Sequence, residues 1–72
     1  VVIMKFDDLV YHVFAQIIPN IGPDDRWDVV DALHDDDTDV ALVIMLRLID
    51  REGWPVDPEL LAMARAAAPS LT

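Results

Sequence analysis

The stretch HDDDTDVALVIML, residues 34–46, sets four aspartates within five positions against a seven-residue apolar run from Val40 to Leu46. A run of that length wraps about two turns of an α-helix and leaves no side of those turns for water. A helix that is apolar all round is buried on several sides. The sequence therefore predicts a central helix over 37–52, with polarity returning at Arg47, Asp50 and Arg51 near its end. Gly53 suits the left-handed C′ position, and Trp54 after it is placed to pack back on Ile49, as in a Schellman ending. At the other end the acidic residues read as a helix start. Asp36 caps, and Asp37 and Asp39 lie in the first turn, where carboxylates meet the positive end of the helix dipole.

The same cluster invites a calcium reading. An EF-hand loop beginning at Asp35 would find ligands at Asp37 and Asp39. Its sixth position must be Gly for the sharp turn and is Val40, and its twelfth must be Glu and is Leu46. The pattern fails at both discriminating positions, so no metal ligands are assigned and the helix start is the expectation.

Toward the C-terminus, Asp57-Pro58-Glu59 is the clearest start signal in the chain: an N-cap, a proline at N1 and an acid in the first turn. It predicts a helix over 58–68 that Pro69 ends, with Val56 and Leu61 placed for a hydrophobic staple. Leu60, Met63, Ala64 and Ala67 give this helix a face of little bulk, suited to a close contact. Toward the N-terminus, Gly22 and Pro23 open a helix over 23–34. Its inner face is expected to be Trp27, Val30 and Leu33 or His34. Opposite runs the stripe Asp24, Asp28, Asp31 and Asp35, whose like charges one turn apart cost the helix slightly. The first helix is predicted over 8–18, with Asp7 or Asp8 as N-cap and Pro19 as the stop. Lys5, Asp8, His12 and Gln16 form its narrow polar stripe. Phe6, Leu9, Val10, Val13, Phe14, Ile17 and Ile18 form an apolar face wider than one neighbour needs. The expected fold is all-α, a compact bundle of four short helices in one domain spanning 1–72. Residues 1–5 are expected to be disordered or an expression remnant, with Met4-Lys5-Phe6 as the natural start.

At 8.1 kDa the chain is near the size where a single core is marginal, yet 54% of its residues are hydrophobic. A monomer of that mass has roughly 4,500 Å² of surface. Self-association, most simply a homodimer, or a permanent partner is therefore expected. There are no cysteines, so disulfides, thiolate metal sites and thiol nucleophiles are excluded. No signal-peptide pattern opens the chain, and the longest apolar run falls far short of the ~20 residues that span a bilayer. A soluble, cytoplasmic protein is the expectation. Fourteen acids against five bases give a formal net charge of −9. Such a field repels phosphate backbones and anionic lipid, so neither nucleic acid nor membrane is an expected partner. Twelve of the acids are Asp and four of the bases Arg, a bias that a high-GC coding sequence produces without any function.

Little else looks chemical. His34 follows Asp31 by three residues and His12 follows Asp8 by four, but zinc needs three or four converging ligands and the chain has two histidines. The hydroxyls are Thr38, Ser70 and Thr72, none beside a recognisable base. With two glycines there is no phosphate loop. No cofactor and no catalysis are expected. The expectation is an acidic interaction module, such as an inhibitor, immunity or antitoxin-type protein covering a basic surface of its partner. The stripe Asp24, Asp28, Asp31 and Asp35 would steer it, and Trp54 is the candidate apolar contact. The alternative is a structural assembly subunit whose acidity serves only solubility.

Overall fold

The computed structural model describes residues 4–69. Four helices make up their secondary structure: α1 Phe6–Ile17, α2 Pro23–His34, α3 Thr38–Glu52 and α4 Pro58–Ala67. The apolar run does produce the central helix. α3 packs against all three others, α1 against α3 and α4, and α2 against α3 alone. Ala41, Leu42, Met45, Leu46, Leu48 and Ile49 are its buried residues. One strip stays open: Val40 and Arg47 are exposed, with Val43 and Ile44 half-buried beside them. The core completes itself with Leu9, Val10, Val13 and Ile17 of α1, Val29 and Ala32 of α2, and Leu60 and Ala64 of α4. Each fully buried Leu or Val side chain contributes about 1.5–3 kcal/mol.

The helix ends refine the sequence expectations. α1 starts at Phe6 with Lys5 as N-cap, so Asp7 and Asp8 lie inside the first turn and do not cap it. Met4 and Phe6 pack against the core and carry the helix back past the two aspartates. Val1 to Ile3, expected to be a remnant, fall outside the described residues. At Pro19 the helix stops as expected, and the N–H groups of Asn20 and Ile21 both donate to the Ile17 carbonyl at 2.9 Å. Ile21 is itself buried and pins this turn. Gly22 and Pro23 open α2 as N-cap and N1.

The inner face of α2 is the main correction. Trp27 is 61% exposed, whereas Val29 is fully buried. The face toward α3 is Val29 and Ala32 with half-buried Asp25 and Leu33; Val30 is half-buried and His34 exposed. At 3.6 residues per turn Trp27 sits about 200° round from Val29, directly opposite the core.

The acidic cluster corrects the sequence reading in a second way. Asp36 does not cap α3: it has φ 60°, in the left-handed region. Asp36 N–H donates to the Leu33 carbonyl at 3.2 Å and Asp37 N–H to the Ala32 carbonyl at 2.8 Å. These are the two bonds of a Schellman motif ending α2, with Asp36 at C′ where glycine is usual. Asp37 then serves as N-cap of α3 by backbone alone, without a side-chain bond, and Asp39 lies in the first turn. At the far end of α3, Gly53 has φ 68° and donates to the Ile49 carbonyl at 2.8 Å. That single bond is the simpler αL ending in place of the Schellman pair. Trp54 is half-buried against the core.

α4 begins as its sequence predicts. The Asp57 carboxylate accepts from Glu59 N–H at 2.8 Å and Leu60 N–H at 3.3 Å. Val56 and Leu61 are both half-buried against the core. An added bond was not anticipated: the Gln16 side-chain oxygen accepts from Asp57 N–H at 2.8 Å, tying the end of α1 to the start of α4. Leu60 and Ala64 form the packed face, while Met63 and Ala67 are exposed, contrary to the low-bulk face expected of all four. Ala68, next to Pro69, is extended and ends the helix.

Candidate interaction surface

α2 turns an apolar face to the core and an acidic face to solvent. The acid that turns inward, Asp25, meets Arg51 of α3 at 3.5 Å. Those that turn outward, Asp24, Asp28, Asp31 and Asp35, are all exposed, and none has an ion-pair partner among the described residues. The stripe read from the sequence is therefore one continuous solvent-facing row. Trp27 lies along its edge, three residues from Asp24 and four from Asp31, where helix side chains are neighbours. Residues 19–37 hold seven aspartates against Arg26, a net −6 of the chain's −9. Acidity is thus concentrated on one helix and its flanking turn.

The structure does not bring Trp54 to this row: it follows α3, half-buried against the core. Periodicity misplaces Trp27 because Trp27, Val30 and Leu33, at i, i+3 and i+6, mimic a core pattern. The competing set Asp25, Val29, Ala32 and Leu33, at i, i+4, i+7 and i+8, fits the core stripe better.

Elsewhere the charged groups serve the bundle. Arg65 of α4 makes a bidentate contact with Asp50 of α3, one arm at 3.2 Å and the other shorter. The Arg65 guanidinium holds the Asp50 carboxyl below the usual aspartate range, and Asp50 in turn raises Arg65. Arg51 also meets its neighbour Glu52 at 3.0 Å. His12 and His34 are exposed, and neither makes an ion pair with Asp8 or Asp31.

The hollow on α1 lined by Asp8, Tyr11, His12 and Ala15 is open and about 240 Å³ in volume. A single helix lines it, and it is smaller than the ~300–1,000 Å³ typical of ligand clefts. Among the described residues no group of three or more His, Asp or Glu side chains is placed to hold a metal. No helix among them is long and apolar enough to cross a membrane. Ser70 and Thr72 lie outside the described residues, and Thr38 is half-buried at the start of α3. No protein-family model matches the chain, and neither a curated protein nor a solved structure is found similar to it.

Proposed function

We propose that the protein is a non-enzymatic acidic interaction module whose outer α2 face binds a basic surface of another protein. The observation that carries this is the contrast within α2: the inward Asp25 is paired, and the outward Asp24, Asp28, Asp31 and Asp35 are left to solvent. Such a row sets up a field reaching about a Debye length, ~8 Å at physiological salt, enough to steer a cationic partner toward one face. An inhibitor, immunity or antitoxin-type role, covering a basic site, fits that geometry.

The test is affinity capture from the source lysate with the parent and with an Asp24→Asn, Asp28→Asn, Asp31→Asn variant. Basic proteins retained by the parent should release with salt and be lost by the variant. The same retained set with both proteins would make the row a solvated face and end this proposal.

A second reading, self-association, is favoured by Tyr11 of α1 and Ile18 at its C-cap, which are 51% and 45% exposed and one heptad apart. That face belongs to α1, which makes no contact with α2.

A further inference from the structure

We infer that the α2 surface is selective for arginine: the Trp27 indole stacks on a guanidinium while the flanking aspartates accept from its N–H groups. The occupant is thus an arginine-bearing segment of the partner protein. The inference rests on the proposal that α2 is the partner-binding face and names the chemistry recognised there.

Trp27 is the starting observation, because it is the most exposed of the large hydrophobic side chains described. α2 packs against α3 alone, and it does so through the opposite face, so no other helix covers the ring. Nothing in the fold requires an indole at this position, since alanine would serve the helix better. Charge decides what can cover it. An apolar partner would strip water from the carboxylates of Asp24, Asp28 and Asp31 without replacing their hydrogen bonds. An anionic partner would be repelled. A lysine ammonium satisfies carboxylates but is a compact, strongly hydrated charge that gains less from a ring face. A guanidinium is planar and weakly hydrated; it can stack on the indole and still present its donors to the neighbouring carboxylates. Arg26 does not occupy the place itself: it lies about 100° away round the helix, and it pairs with none of the three aspartates.

The experiment uses labelled oligo-arginine and oligo-lysine peptides of equal length and charge, titrated at fixed ionic strength. The proteins are the full chain, its Trp27→Ala and Trp27→Leu variants, and the Asp24→Asn, Asp28→Asn, Asp31→Asn variant. All are exposed helix positions, and circular dichroism verifies the fold. The parent should bind the arginine peptide several-fold more tightly than the lysine peptide, with about 30-fold, the full worth of a cation–π contact, as the upper bound. Both Trp27 variants should lose that preference, the arginine affinity falling further than the lysine affinity. Equal affinities for the two peptides in the parent, or a preference that survives in Trp27→Leu, would overturn the inference and leave the acidic-face proposal standing. Binding of neither peptide, or binding indifferent to the three asparagines, would overturn both.

Discussion

Asp36 holds a backbone conformation that costs an ordinary L-residue about 1–2 kcal/mol, and it is tolerated because Asp visits the left-handed region more readily than most. Asp36→Gly should therefore stabilise the protein by a few tenths to about 1 kcal/mol, strain relief outweighing the added freedom of the unfolded chain. Asp36→Asn removes the charge and keeps the tolerance, so urea unfolding of the two variants separates charge from backbone. A larger gain for Asn than for Gly would contradict the strain account. Asp57 is the residue whose side chain does cap, and Asp57→Ala should cost about 0.5–2 kcal/mol. The Asp50 carboxyl, depressed by Arg65, contributes stability that is present above its unfolded value and lost as pH falls through its folded value. In Arg65→Gln that acid-side loss should shrink, and denaturation curves at a series of pH values below 5 would detect it. An unchanged acid limb would mean that the pair carries no linkage.

At the level of elements, the central place of α3 was legible because seven apolar residues in a row admit one helical environment. The starts at Gly22-Pro23 and Asp57-Pro58-Glu59 were legible because their chemistry is local. The face of α2 was not, since periodicity alone offers two overlapping stripes, and the one containing the bulkier residue lost. The acidic turn was legible as a helix boundary but assigned to the wrong helix. A left-handed aspartate leaves no mark in the sequence that distinguishes it from an N-cap one residue away. The α2 row itself was visible as charge, but its indole was not, because exposure of a tryptophan is a tertiary fact. A pair of substitutions tests the assignment of faces. Leu42→Ala on α3 should cost about 2–5 kcal/mol, whereas Trp27→Ala should stay within about 0.5 kcal/mol of the parent. Comparable losses from the two would return Trp27 to the core.

For the whole molecule, a surface of 4841 Å² stands against the roughly 4,500 Å² expected for this mass. The radius of gyration of 11.3 Å equals the compaction of an isolated chain, about 11 Å. The helices thus pack to the compactness of a single small domain, and the proposed self-association draws on the side chains left outside that core. Light scattering at micromolar concentration should report a dimer in the parent and a monomer in Tyr11→Lys; a monomer in both would dismiss the α1 contact. Monovalent salt should raise the melting temperature by screening repulsion within the acidic segment 19–37. One bond within the bundle extends to kinetics. The N-cap of α4 takes its own N–H partner from Gln16, 41 residues earlier, so its start is complete only when α1 and α4 have met. The α2–α3 hairpin, in contrast, closes across the tight Asp35–Asp37 turn. Short loops close first and distant ones late. Gln16→Ala should accordingly quicken unfolding while leaving the refolding rate nearly untouched, a split that stopped-flow chevrons would resolve. The last contact to form would then be the first to let go.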